Sequence, residues 1–218
     1  MSAPAPLDRR QRRRQESIEQ VLDVAVDVMA DQGVGGLTVG EVARRMGIRP
    51  PSLYVYFDSK NALYDALFER GWRELLEVMR EARGTGEVTT ELVVDLQSSF
   101  VRWAVGHPAY APLMFWRPVP GFSPSQRAYA PAVELAALTL QFLAECRDAG
   151  LLAAEVDLDL AFRTLTVVGS GVITQQLANA PGEPFETGTF TSTLPDVVAM
   201  WLAHHGGPRL PSVRSRRD

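Results

Sequence analysis

The sequence predicts an all-α fold: an N-terminal helix-turn-helix three-helix unit followed by a larger helical bundle. Three observations predict it. Apolar residues recur at three- and four-residue spacing in every long segment, as amphipathic helices require. No series of alternating apolar and polar residues is long enough to build a sheet. Glycine, proline and capping residues interrupt the helical patterns where short turns would join helices.

Residues 1–8, MSAPAPLD, are rich in proline and alanine, and with the arginine run behind them they predict a disordered basic arm over residues 1–14. Ile18, Val21, Leu22, Ala25, Val28 and Met29 mark one face of a first helix, which stops at Gly33. Thr38 caps a second helix, and Glu41 three residues later completes a T-x-x-E capping box. Val42, Ala43 and Met46 form its inner face, and Gly47 ends it. A very short third helix starts with Pro50 or Pro51 in its first turn, where a missing N–H costs little. Asp58 or Ser59 caps a fourth helix that runs through Leu63, Leu67, Trp72, Leu75 and Met79 to about Arg83.

The stretch TGEVTT breaks the pattern. A helix over Leu92 to Gly106 turns Leu96, Phe100, Trp103 and Ala104 inward, and His107-Pro108 ends it. A short helix near Ala109 to Trp116 leads into the proline-rich loop RPVPGFSPS. Two long helices follow, about Ser125 to Ala149 and Leu158 to Asn179, and after the loop NAPGEPFETG a last one spans about Phe190 to His204. The organisation expected is a helix-turn-helix domain over 15–62, a bundle over 63–205 and a mobile tail over 206–218.

Composition is that of an ordinary globular chain. Of 218 residues, 46% are hydrophobic and 22% charged, with a net charge of −4, so no global excess of cations points to a nucleic-acid partner. The charge is uneven. Residues 1–60 hold nine basic and eight acidic side chains, and Arg9, Arg10, Arg12, Arg13 and Arg14 fall in one run. Residues 61–218 hold 13 basic and 18 acidic side chains. Cys146 is the only cysteine, which rules out an intrachain disulfide and fits the cytoplasm. No segment reaches the roughly 18 apolar residues of a membrane helix. Glu16, Glu19, Asp23, Asp27 and Asp31 follow the arginine run, where an export signal would carry an apolar core.

The stretch RPPSLYVYFDSK looks at first like a strand, with aromatic and β-branched residues in succession. It is too short and too tightly flanked by helices for that. Two short helices around Met46-Gly47-Ile48 fit a helix-turn-helix, in which the second helix enters a DNA major groove. Leu53 and Phe57, four apart, can pack on one face, which leaves Tyr54 and Tyr56 outside. Two half-buried tyrosines are the plainer reading. The cations Arg44, Arg45, Arg49 and Lys60 beside them favour phosphate contacts instead.

Residues 37–68, LTVGEVARRMGIRPPSLYVYFDSKNALYDALF, resemble the DNA-binding signature of the TetR family of bacterial transcription regulators. Leu37, Thr38, Val42, Ala43, Gly47, Leu53, Tyr54, Tyr56, Phe57, Lys60 and Leu63 carry the resemblance. It implies that Thr38, Tyr54, Tyr56 and Lys60 contact phosphates of a double-stranded DNA operator. It places Arg49, Pro50, Pro51, Ser52 and Val55 on the reading helix. Gly40 and Pro50 depart from the family in lacking polar side chains, so base reading falls to Arg44, Arg49 and Ser52, with Val55 against a thymine methyl. The arginine run has two readings, a solvated leader or an arm along the DNA backbone or in a minor groove.

The same resemblance implies a homodimer and a pocket for a small-molecule effector in the C-terminal bundle. The wide apolar stripes of the last two long helices suggest Phe162, Leu165, Gly169, Val172, Ile173, Leu194, Val198 and Trp201 as the dimer interface. Phe100, Trp103, Phe115, Trp116, Phe142 and Thr166 are the candidate pocket. An ordinary aromatic core explains any one of these aromatics equally well. FVRWAVGHP is similar to a TetR subgroup with a Trp-His-Gly-type C-terminal domain, through Trp103, Gly106 and His107.

Other classes fare worse. GSG at Gly169–Gly171 lacks the G-x-S-x-G of a nucleophile elbow, since Val168 holds the first glycine position. GVGG lacks a strand before it, and no acid/base pair stands out, so no enzyme is expected. Three scattered histidines and one cysteine predict no metal site and no cofactor. A protein-interaction module built on the same helix-turn-helix packing is the remaining alternative.

Overall fold

The computed structural model describes residues 8–207, and among them the regular structure is helical throughout. The order is α1 Arg9–Gly36, α2 Val39–Arg45, α3 Pro50–Leu53, α4 Lys60–Arg83, α5 Thr90–Gly106, α6 Tyr110–Phe115, α7 Gln126–Asp148, α8 Leu158–Asn179 and α9 Leu194–His205. A single turn of 3-10 helix, Thr191–Thr193, precedes α9. The chain forms two compact units. One holds the residues up to Gly71 together with Ala109–Tyr129, and the other holds Trp72–Pro108 and the residues from Ala130 onward. The division thus falls inside α4, not at residue 62, and α6 returns to the first unit.

One expectation fails at the N-terminus. Arg9 to Arg14 are not a disordered arm but the first turns of α1. Asp8 is the cause. Its carboxylate accepts from the N–H groups of Arg10 and Gln11 at 2.7 and 2.8 Å, and the Gln11 side chain accepts from the Asp8 N–H, a complete capping box. Residues 1–7 and those beyond 207 lie outside the described residues, and with them the expectations for residues 1–7 and for the tail beyond 207.

In the first unit, Val21, Leu22, Ala25, Val28 and Met29 are the buried face of α1, which packs on α2 with its buried Val42 and Ala43, and α2 packs in turn on α3 with its buried Leu53. Gly33, at φ 73°, breaks the helical path of α1 where the sequence marked its end. Ser59 caps α4 through the Ala62 N–H at 3.1 Å. Buried Tyr64 donates its hydroxyl to the Val34 carbonyl at 2.6 Å and so ties α4 to the end of α1. Arg70 bonds Asp23 at 2.8 Å and the Tyr110 hydroxyl at 2.6 Å, which links α4 to α1 and α6. Gly71 lets α6 come close: a Cβ there would stand 2.7 Å from Met114 Sδ and 2.8 Å from the Tyr110 ring.

In the second unit α5, α8 and α9 pack on one another around Leu96, Val101, Trp103, Leu165, Ile173, Val198 and Trp201. Trp201 donates its indole N–H to Thr164 Oγ1 and the Ala161 carbonyl at 2.9 and 3.1 Å, fixing α9 on α8. Buried Gln176 organises the loop between those helices. Its oxygen accepts from the N–H groups of Phe190 and Thr191 at 2.9 and 3.1 Å, and its nitrogen donates to the Ala180 carbonyl at 2.7 Å.

Candidate functional site

The junction of α2 and α3 is built by its termini. Thr38 Oγ1 accepts from the Glu41 N–H at 3.1 Å and starts α2. At the other end Gly47 has φ 67°, a left-handed conformation that glycine adopts without a Cβ clash. Its N–H bonds the Arg44 carbonyl at 3.1 Å, and the Ile48 N–H bonds the Ala43 carbonyl at 3.0 Å. This paired pattern is a Schellman cap, and it turns the chain sharply into α3. Pro50 and Pro51 open α3. Leu53 and Phe57 are buried, so Pro50, Pro51, Ser52, Tyr54 and Val55 are left on the outside, with Tyr54 53% and Val55 71% exposed. The expected division holds for Leu53, Phe57 and Tyr54 but not for Tyr56, which was expected outside. Tyr56 is half-buried, and the Arg14 guanidinium lies 5.5 Å from its ring centroid.

The cations behave differently from one another. The expected capping box on α2 is only half made, because the Glu41 carboxylate turns to the arginines. Arg44 grips it with both fork nitrogens at 2.8 Å, and Arg45 Nε reaches it at 2.9 Å. Arg45 also pairs with Asp31 at 2.7 Å. Hydrogen bonds from Arg44 and then Arg45 hold the Glu41 carboxyl down to about 2. Lys60 Nζ lies 3.4 Å from the Gly35 carbonyl and 5.2 Å from the Tyr64 ring centroid. Arg49 is exposed at the N-cap of α3 and makes no side-chain cap bond.

The candidate pocket residues fall in both units. Phe100, Trp103, Phe142 and Thr166 belong to the second unit, and Phe115 and Trp116 to the first. Trp103 and Phe142 are buried, and the Arg83 guanidinium lies 5.3 Å from the Phe142 ring centroid. Thr166 is exposed and donates to the Phe162 carbonyl at 2.9 Å, the bond by which a helical threonine satisfies itself, so it lines no interior. Gln97 was missed. Its Oε1 is buried without a hydrogen-bond partner among the described residues, and a Cβ on Gly169 would stand 3.0 Å from it. Val93, Gln97 and Val101 are spaced by four, so a polar residue on a buried stripe was the available signal.

The proposed dimer residues need correction. Leu165, Gly169, Val172, Ile173, Leu194, Val198 and Trp201 are buried within their own chain, and Phe162 is half-buried. Packing of α5, α8 and α9 consumes that side of the stripe. The exposed apolar side of the same helices carries Leu160, Val167, Gly171 and Ala178 on α8 and Met200 on α9.

Two histidines resolve locally. His107 Nδ1 lies 2.7 Å from the Trp103 carbonyl at the end of α5. His205 is the last residue of α9. It is buried, 3.0 Å from Thr164 Oγ1, and burial, aided by His204, depresses its basicity. Among the described residues no three His, Cys, Asp or Glu side chains are grouped to hold a metal ion, and no helix is long and apolar enough to cross a membrane.

Fold and site together define a helix-turn-helix regulator. Residues 21–67 match the family described as bacterial regulatory proteins, tetR family, and residues 93–207 match the tetracyclin repressor-like C-terminal domain. A tetracycline repressor protein, class C, of Escherichia coli is 31% identical over 197 residues, which span 87% of this chain and 82% of the repressor. The class A tetracycline repressor of transposon 1721 is 45% identical over 49 residues, 22% of this chain and 23% of its own. The transcriptional regulator FadR of Bacillus subtilis, solved with stearoyl-CoA, superposes with a TM-score of 0.72 at 18% identity, over 85% of this chain and 97% of FadR. A tetR-family regulatory protein from Rhodococcus RHA1 gives 0.69 at 17% identity, over 88% and 98%. The chain belongs to the tetR family of bacterial regulatory proteins. It is a DNA-binding transcriptional regulator and not an enzyme.

Proposed function

We propose that the protein is a homodimeric repressor that binds a palindromic operator and is released from it by a small-molecule effector. The observation that carries this reading is the outward face of α3 and its turn. Leu53 and Phe57 anchor it, while Arg49, Pro50, Pro51, Ser52 and Tyr54 stay exposed for a partner. In this reading Thr38, Tyr54, Tyr56 and Lys60 take phosphates, and Arg49, Pro50, Pro51 and Ser52 lie along the base edges. Lys60 swings from the Gly35 carbonyl to do so. Arg44 and Arg45 flank the site, committed to Glu41 until DNA competes for them.

The N-terminal arginines support the same reading. Cations in the first turn of a helix oppose its macrodipole, a cost of about 0.3–1 kcal/mol each at most. No acidic residue in the first turn of α1 offsets them, and only the Asp8 cap does so from outside. Such an arrangement is suited to an anionic partner. Arg10 and Arg14 are four apart and share one face of α1, and Arg14 stands over Tyr56. They extend the phosphate-binding surface as a rigid helix in place of a loose arm.

The exposed side of α8 and α9, with Val167 and Met200 each 70% exposed, supports the dimer. A four-helix contact across a two-fold axis would cover it, with Gly171 allowing close approach. Two reading heads then meet half-sites about 34–36 Å apart. The tetracycline repressor is named for an effector and FadR was solved with stearoyl-CoA, which supports an effector for this chain too. Gln97 Oε1, buried beside Gly169 where the Phe100 ring also packs, offers that effector an acceptor.

The test is a fluorescence-anisotropy titration of the full chain on a duplex selected from a random library, against the same duplex scrambled. The reading requires at least about a thousandfold preference at physiological salt. Equal binding to both duplexes sinks it.

A further inference from the structure

We propose that Val55 reads the 5-methyl group of a pyrimidine, thymine or 5-methylcytosine, in the major groove, as a specificity contact beside Arg49 and Ser52. This rests on the reading that the chain binds DNA by α3, and it names what that helix recognises.

The first support is what the reading face lacks. A guanine is read through two acceptors by a free guanidinium or ammonium fork. Arg44 has both fork nitrogens on Glu41 at 2.8 Å, and Arg45 is shared between Glu41 and Asp31. Pro50 and Pro51 carry no side-chain polar atom and no backbone N–H. Gly40 carries no side chain, although the space beside it is open. Arg49 and the Ser52 hydroxyl are what remain for direct polar reading on α3, with the Tyr54 hydroxyl beside them.

The second support is what the face presents instead. A lone exposed aliphatic residue is unremarkable on most surfaces. Val55 is set apart by its place. It is 71% exposed in the turn that closes the reading helix, between Tyr54 and Tyr56, with Ile48 also exposed at the other end of α3. The neighbouring cations Arg49 and Lys60, and Arg14 over Tyr56, draw an anionic partner to this face. The apolar group that a DNA major groove offers a branched aliphatic side chain is the 5-methyl of thymine, which uracil lacks and 5-methylcytosine shares.

The experiment uses the full chain and the selected duplex, with each thymine replaced in turn by deoxyuridine. Removing the methyl at one or two positions per half-site weakens binding about fourfold per position, the worth of one buried methyl-sized group. Val55→Ala, which removes no core contact, binds thymine and deoxyuridine duplexes equally at those positions. Replacement of a cytosine at the contact position by 5-methylcytosine that restores affinity assigns the methyl, not the thymine carbonyl, as the recognised group. Deoxyuridine duplexes bound as tightly as the parent overturn the proposal while leaving DNA binding intact. So does a deoxyuridine penalty that persists in Val55→Ala. Failure to select any preferred duplex overturns the DNA reading and this proposal together.

Discussion

Arg44 holds the Glu41 carboxylate by two parallel hydrogen bonds of 2.8 Å, one from Nε and one from an amino nitrogen of the fork. Arg45 shares the same carboxylate and also pairs with Asp31, so two acids and two arginines form one network at the end of α2. Glu41→Gln frees Arg44, while Arg45 keeps its ion pair with Asp31. Binding to random duplex then tightens and its salt slope steepens by up to about 0.9 per arginine freed, while preference for the selected duplex falls. Anisotropy titrations between 50 and 200 mM salt, about the range where such slopes are resolved, check this.

The same carboxylate gives an acid dependence. Its folded-state value, about 2, lies below the ordinary glutamate value of about 4.3. A depressed carboxyl stabilises the fold above the ordinary value and loses that contribution as pH falls toward about 2. The wild type therefore loses stability through that window more steeply than Glu41→Gln. Urea denaturation at a series of pH values reads the difference in slope.

Arg10 and Arg14 test the helical extension of α1. Arg10→Ser with Arg14→Ser lowers the salt slope on specific DNA by up to about 1.8 per protomer and leaves the melting temperature close to wild type. An unchanged slope returns these residues to the role of a solvated helix end.

Gln176 is a clamp without a functional part. Gln176→Leu strands the N–H groups of Phe190 and Thr191, for a loss of about 2–4 kcal/mol in urea denaturation. DNA affinity per folded molecule stays as it was.

The two sides of α8 and α9 separate oligomerisation from folding. Val167→Asp, on the exposed side, yields a folded monomer by analytical ultracentrifugation and about a hundredfold weaker operator binding, since both half-sites must be held at once. Val198→Asp, on a fully buried position, does not fold stably. A Val167→Asp protein that sediments as the wild type does contradicts the proposed interface.

Much of this was readable from local chemistry. The bounds of α8 follow from Asp157, whose side chain caps the Leu160 N–H, and from unbroken helical spacing. Gly47 marked the turn because the Schellman cap needs a left-handed residue, and the Leu53–Phe57 spacing told inside from outside. What was hidden depends on competition between partners. Thr38-x-x-Glu41 reads as a capping box, but two arginines at i+3 and i+4 from Glu41 outbid the backbone N–H. The stripe on α8 is wide enough for two neighbours, and periodicity does not say which side goes to α5 and α9 and which stays open. Asp8 and Gln11 did spell a capping box, masked by the proline-rich residues before them.

The central claim is that α3 and its turn recognise DNA by sequence. Its most direct measurement compares wild type with the double substitution Arg49→Ala and Tyr54→Ala, on selected and random duplexes, with sedimentation in parallel. Both side chains are exposed, so the fold and the sedimenting mass stay unchanged. The account predicts that affinity for the selected duplex falls by about a hundredfold toward that of random DNA, leaving the smaller preference carried by Ser52 and Val55. Selected-duplex affinity that survives the double substitution contradicts it.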